Sequence, residues 1–392
     1  MHSSEALKRQ THLEFYQQHG ISPVSYDIKN LSDHFERRAS LYDQLALPTL
    51  AFSKSRVLEV AAGTGHNSLY IAAQHPASLV LLEPNSVGIN EIESTYSQFG
   101  SDFIEPTLIA KKLEDYFPER LYEIVICENW LGTSKHEQLL LNKLKSFIGP
   151  KGILVITTVS PIGFLPNLIR RFLSSLAAPL DLTFEERSTI LKNTFQSHLY
   201  TLKAMTRNVE DWVHDNMINP AYFDLCLSTP MALEILGDKF AILGSSPSIS
   251  EDWRWFKSLY GEDKGSNIHY LNEYWKKNHN FLDSRLEPSS GDAEVNIRLE
   301  NKAIEFLEAV RAHEDGLIQG KNVEKLRSKV ASVLQEFIGL LPESVFMAKV
   351  ALEEAFNLIQ NNDQINALDI ANSQTFSYLF GRETSYISVQ KI

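Results

Sequence analysis

Between Arg56 and Thr158, short continuous apolar runs alternate with helix-forming stretches, and this alternation constrains the fold more than any other feature. Val57-Leu58-Glu59-Val60 runs into a turn of small residues, Ala61-Ala62-Gly63-Thr64-Gly65. A helical stretch over 67–74 follows, and Pro76 ends it. The pattern repeats as an apolar run at 79–82, a helix over 86–98, a run at 123–127, a helix over 135–147 and a run at 153–158. Runs that are apolar on both faces belong to strands covered on both sides, and strands joined through helices lie parallel. The chain is therefore expected to be α/β, with a Rossmann-like, mostly parallel sheet.

The flanks read as helical. Leu31, Phe35, Ala39, Leu41 and Leu45 recur near helical spacing until Pro48, which defines a helical cap over 1–48 and leaves 49–160 as the sheet-forming core. After Ser160 an apolar stripe of Leu165, Leu168, Ile169, Phe172, Leu173 and Leu176 leaves Arg170 and Arg171 off the stripe. That segment, 161–230, is expected to be a helical insertion covering the acceptor side of a site at the strand ends. A helix and strand over 231–250 continue the sheet. A helical region, 251–380, includes a helix at 323–341, and the residues from 288 to 292 read as a linker. The aromatic residues Trp253, Trp255, Phe256 and Tyr260 suit either a pocket wall or core packing. In the last segment, 381–392, Ile387 and Val389 alternate with polar neighbours, the period of a strand that returns to the sheet.

Composition excludes several classes. There are 37 Lys and Arg against 49 Asp and Glu, a formal charge of −12, so the basic surface that nucleic acid requires is missing. The pairs Arg37-Arg38, Lys111-Lys112 and Arg170-Arg171 stand alone. Cys127 and Cys226 are too few for a disulfide framework, and no metal-binding spacing occurs. No signal core and no apolar run of about 18 residues is present, so a cytoplasmic protein with no membrane attachment is expected.

The chemistry lies at the first turn. Backbone N–H groups in a small-residue turn approach a ligand closely, and the next helix N-terminus adds unpaired donors. Eighteen residues after Gly65, Glu83 ends the following run, where a carboxylate accepts hydrogen bonds from ribose hydroxyls. A dinucleotide site wants a third glycine where Ser68 stands, and Glu59 would repel a pyrophosphate. A sulfonium and an ammonium would be attracted to the same carboxylate.

VLEVAAGTG at 57–65, followed by LLEPN at 81–85, resembles motifs I and II of the class I S-adenosylmethionine-dependent methyltransferases. Ala61 stands where that family more often has glycine. LEDYFPERLYEIVICENWLG resembles the stretch from the adenine-contacting loop through the fourth strand, but Lys112-Leu113-Glu114 departs from the usual acid position. The resemblance covers residues 56–160. It implies a seven-stranded sheet with an antiparallel final strand beside the fifth, and S-adenosylmethionine as cofactor. It also implies cofactor contacts from Glu59, Ala61, Gly63, Gly65, Asn67, Glu83, Leu113, Glu128 and Asn129.

The expected activity is methyl transfer to an oxygen or nitrogen of a small molecule, with a protein as the next acceptor class. An NAD(P)-dependent oxidoreductase and a non-catalytic binding protein on the same scaffold are the rival readings. Such a transfer needs in-line positioning, and a hard nucleophile also needs a base. His214, oriented by Asp215, is the first candidate for that base; His198 and His136 follow it.

Overall fold

A computed structural model describes residues 10–22, 28–203, 205, 207–220, 225–360 and 366–392. Residues 1–9 and 23–27 of the expected cap lie outside the described residues. Within the cap, helices α1 (His12–His19) and α2 (Leu31–Gln44) form. Thr11 and Glu14 close a capping box on α1, and Gly20 ends it in the left-handed conformation.

The strands are β1 (Arg56–Val60), β2 (Ser78–Leu82), β3 (Thr107–Ile109), β4 (Tyr122–Cys127), β5 (Ile148–Val159), β6 (Phe240–Ser246) and β7 (Thr384–Lys391). They form one seven-stranded sheet in the order β3-β2-β1-β4-β5-β7-β6. The pairs among β1 to β5 are parallel, and β7 runs antiparallel to both β5 and β6. The returning C-terminal strand expected from the period-2 pattern is therefore present, and it occupies the place beside the fifth strand. Ile387 and Val389 are fully buried there. One strand and one strand boundary were not legible. β3 has only three residues, too few for a period, and β5 begins five residues early through an exposed, bulged stretch.

Helices α3 (Ser68–Ala72), α4 (Ser86–Ser97) and α5 (Lys135–Ser146) connect the parallel strands. Asn85 caps α4 and Ser134 caps α5 through their side chains, each satisfying an orphan N–H. After β5 come α6 (Pro161–Ala177), α7 (Phe184–Leu199) and α8 (Val209–Val213), the last running into a π turn at His214–Ile218. Helix α9 (Thr229–Leu236) leads to β6. Beyond β6 lie α10 (Ser266–Lys277), α11 (Ala293–Ile318), α12 (Glu324–Leu340), α13 (Phe346–Gln360) and α14 (Ala367–Ala371).

The segments 161–230 and 251–380 share one apolar core, in which Phe164, Phe172 and Phe195 meet Phe306, Phe337 and Leu352. This packing overturns the placement of Arg170 and Arg171 off the buried stripe. Both are buried, at 0% and 4% exposure, because α6 is enclosed on every side. The Arg170 guanidinium donates to the carbonyls of Leu379 (2.8 Å) and Phe376 (3.1 Å) and lies 3.8 Å from the Phe380 ring centroid. Arg171 pairs with Glu314 of α11 at 2.8 Å.

Two further expectations fail. Trp253, Trp255, Phe256 and Tyr260 are all exposed, so they line neither core nor pocket. The 288–292 stretch is no free linker: Ser289 exchanges hydrogen bonds with Asn280, and Asp292 caps α11. Among the described residues, no single helix is long and apolar enough to cross a membrane.

Candidate active site

β1 delivers the chain into the small-residue turn at the carboxyl edge of the sheet. Ala61 and Gly63 both adopt left-handed backbone conformations, with φ of 57° and 59°. That geometry suits glycine and strains alanine. The Gly63 N–H donates to Glu83 Oε2 and the Asn85 N–H to Glu83 Oε1, both at 2.8 Å. Burial pushes the Glu83 carboxyl up to about 7 against these two donors. Gly88, in the first turn of α4, packs against this loop so closely that a Cβ there would lie 2.5 Å from the Gly63 carbonyl oxygen. The turn, the carboxylate and the helix N-terminus form one cradle.

Two more carboxyl groups stand beside it. Glu59, inside β1, is 4% exposed, and its Oε2 is buried with no hydrogen-bond partner. Burial and then the nearby Glu128 raise its carboxyl to about 7, with Ser68 and Arg38 opposing. Glu128, at the end of β4, is gripped by Arg38 of α2: Nη1 donates to Oε2 at 3.0 Å and Nη2 to Oε1 at 2.6 Å. The Tyr42 hydroxyl adds a contact at 3.3 Å. A bidentate pair buried this deeply fixes Glu128 in place and anchors the cap to the sheet. Asn129 follows with φ of 54°, its N–H bonded to Thr157 Oγ1 at 2.8 Å and its side chain donating to the Tyr386 hydroxyl at 3.3 Å.

A cavity of about 420 Å³ opens over these residues. Glu59, Ala61, Gly63, Asn67 and Glu83 line one end, and Glu128 and Asn129 its middle. Gly65 and Leu113 are not brought to it. Gly65 faces Ile92 of α4, and Leu113 is buried in the core with Tyr116 and Leu140.

Strand order sets Glu383, at the entry to β7, at the far end from Glu83, and other distant segments complete the lining: His12 and Tyr16 of α1, Phe164 of α6, Arg207, and Asp215 of the π turn. The expected catalytic pair does not form. Asp215 reaches the cavity, where Arg207 Nη2 and the Tyr16 hydroxyl each donate to it at 2.7 Å. His214 instead shares a hydrogen bond with Ser188 at 2.8 Å and packs on Phe184, away from the cavity. Successive residues of a helical turn project to different sides, and here Asp215 faces the cavity while His214 faces α7. The weaker candidates also lie elsewhere. His198 is buried, and burial with Arg170 nearby pulls it down to about 3. His136 pairs with Glu114 at 2.8 Å on the surface.

The sequence reading missed His12, Tyr16, Arg207 and Glu383. Glu383 carried one usable signal. A strand antiparallel to β5 must enter at the carboxyl end of β5, so the residue just before it belongs at the crevice. His12 and Tyr16 carried none.

Residues 32–205 match the family model described as a methyltransferase domain. Those residues, under half of the chain, resemble a methyltransferase domain. The match spans the cradle, Glu128 and the start of the insertion, and the strand order agrees with what the class I resemblance implies. No curated protein matches the chain. Among solved structures, it is similar to the N-methyltransferase NodS from Bradyrhizobium japonicum WM9 in complex with S-adenosyl-L-homocysteine. That likeness has 16% identity and a TM-score of 0.30 over 37% of this chain and 73% of that one. Magnesium protoporphyrin IX methyltransferase from Synechocystis PCC 6803 with bound SAH shows 13% identity and a TM-score of 0.36 over 59% and 89%. PKMT2 from Rickettsia typhi in complex with AdoHcy shows 13% and 0.41 over 62% and 49%. At these TM-scores the likenesses decide neither ligand nor acceptor.

Proposed function

We propose that the chain binds S-adenosylmethionine at the Gly63–Glu83 end of the cavity and directs its methyl group to a nitrogen or oxygen of a small molecule at the far end. The observation that carries this reading is the continuity of the cavity. One continuous cavity joins a ribose-binding cradle to a second polar compartment across Glu128 and Asn129. When bound, the cofactor supplies an electrophilic methyl on a sulfonium. The chain's own residues supply the rest.

The residues fit such a cofactor. Gly63 and Glu83 hold the ribose, and the unpartnered Glu59 Oε2 offers an acceptor to the ammonium end of the ligand. Leaving that buried oxygen unpaired costs about 1–3 kcal/mol, which a cationic ligand recovers. Phe164, Arg207 and Asp215 of the insertion, with Tyr16 of the cap, line the compartment beyond Glu128. A concave compartment within a cavity of about 420 Å³ suits a small acceptor better than a protein surface.

Calorimetric titration tests the reading. S-adenosylhomocysteine should bind stoichiometrically and NADH should not. NADH binding without S-adenosylhomocysteine binding would transfer the cradle to an oxidoreductase.

A further inference from the structure

We propose that the acceptor is an amine that enters as its ammonium ion, and that Glu383 binds that cation and takes its proton before the methyl moves. This inference rests on the methyl-transfer reading above and names the acceptor class for the same cavity.

The charge around the cavity points to a cation. Among the described lining residues there are five carboxyl groups, Glu59, Glu83, Glu128, Asp215 and Glu383, and one arginine, Arg207. Arg207 is paired with Asp215 at 2.7 Å, so it offers no uncompensated charge to an anionic acceptor. Glu59, Glu83 and Glu128 stand at the cofactor end or across the middle. Glu383 is the carboxyl group at the far end with no ion-pair partner among the described residues.

Its placement is built rather than incidental. The Glu383 carbonyl accepts from the Ser160 N–H at 2.8 Å, which fixes the backbone where β5 ends. Asn167 Nδ2 donates to Oε2 at 2.6 Å, and Oε1 is left for a ligand. This is the crevice outside the carboxyl ends of the strands, where sheets of this type bind their substrates. The other groups facing it are accounted for. Arg207 and Asp215 compensate each other, the buried Arg170 is engaged by carbonyls of the 376–380 segment, and the Cys226 thiol is buried and held protonated. Phe164, Trp130 and Tyr386 line the same cavity and supply its aromatic surface. Burial lifts the Glu383 carboxyl to about 7, which suits a group that must both hold a cation and accept a proton near neutral pH.

The step balances. Glu383 Oε1 accepts a proton from the ammonium and frees the nitrogen lone pair. That nitrogen forms a bond to the methyl carbon as the methyl–sulfur bond breaks. The sulfonium leaves as the neutral thioether, and the N-methylammonium product keeps the positive charge until it releases a proton to solvent.

The test compares benzylamine with benzyl alcohol, an uncharged molecule of the same shape, by titration into the full-length protein saturated with S-adenosylhomocysteine. The wild type should bind the amine at least tenfold more tightly at pH 8, and this preference should grow between pH 6 and 8. Glu383→Gln should remove the preference and its pH dependence while leaving S-adenosylhomocysteine affinity unchanged. Equal or undetectable binding of both probes to the wild type overturns the proposal, as does a preference that survives in Glu383→Gln. Failure of the wild type to bind S-adenosylhomocysteine refutes the cofactor reading instead. The amine preference, repeated without it, then judges the acceptor site separately.

Discussion

Replacing Gly88 with alanine should separate the two halves of the cofactor cradle. An alanine Cβ would stand 2.5 Å from the Gly63 carbonyl oxygen and 3.2 Å from its carbonyl carbon. Ordinary C···O contacts begin near about 3.3 Å, so the loop must move by about 0.8 Å. Both partners are backbone, and no side chain can turn aside. Such a shift takes the Gly63 N···Glu83 Oε2 contact from 2.8 Å to a length that no longer counts as a hydrogen bond. Losing a bond to a charged acceptor costs about 1.5–3 kcal/mol, which is roughly a ten- to hundredfold loss in affinity. Overpacking adds about 1–3 kcal/mol of destabilisation. Calorimetry with S-adenosylhomocysteine, paired with urea unfolding, separates the two effects. A folded Gly88→Ala protein with wild-type affinity would refute the claim that the cradle depends on this contact.

Four other outcomes follow from the same geometry. Glu59 and Glu83 have carboxyls raised to about 7, so in the ligand-free protein each contributes stability below about pH 4.5 that is lost as pH rises toward 7. A ligand that needs them ionised should bind more tightly through that window and release protons at pH 7; binding heats that do not vary with the ionisation enthalpy of the buffer would contradict this. Ala61→Gly relieves a left-handed alanine worth about 1–2 kcal/mol and incurs about 0.5–1 in chain entropy, so urea unfolding should show a neutral to slightly stabilised protein. Arg38→Ala leaves Glu128 buried without its cation and should destabilise by about 3–5 kcal/mol, whereas Arg38→Met with Glu128→Leu should recover most of that loss. Deleting residues 386–392 removes most of a strand bonded on both sides and three fully buried side chains, so cooperative unfolding and S-adenosylhomocysteine binding should both disappear; an unchanged urea midpoint would mean the strand is dispensable.

The parts of the fold legible in the sequence were those encoded by local pattern. β1, β2 and β4 are apolar on both faces, so their runs were visible, and the turn at 61–65 could be read from its run of small residues straight after the first strand. The final strand could be read because period 2 stands out against helices. β3 is too short to show a period. The burial of Arg170 was illegible for a different reason: an arginine on a helix reads as solvated, and its acceptors are carbonyls more than 200 residues away. Glu59, Gly63, Glu83, Glu128 and Asn129, singled out for their places in or just after the strands, all line the cavity. His214 was chosen for its residue type and neighbours, and the π turn aims Asp215 into the cavity while His214 packs inside the helices.

The two ends of the cavity are therefore encoded differently, and this bears on how such a chain changes acceptor. The cradle is written within about thirty residues, and its decisive bonds span short separations, such as Gly63 to Glu83. The far end is closed by pairs that are remote in sequence: Tyr16 with Asp215, Asn219 with His12, and Asn167 with Glu383. Those contacts exist only after the cap, the insertion and β7 have all docked on the sheet. The cradle's geometry depends on main chain and tolerates little. The far end depends on side chains carried by segments remote in sequence from β1 and β2, so a side chain there can change without altering the turn at 61–65. Glu383 is the exception among them, because the antiparallel pairing of β7 with β5 fixes its position at the crevice. A carboxylate there is held by the sheet itself, and a change of acceptor class through that residue needs no change in the cofactor cradle.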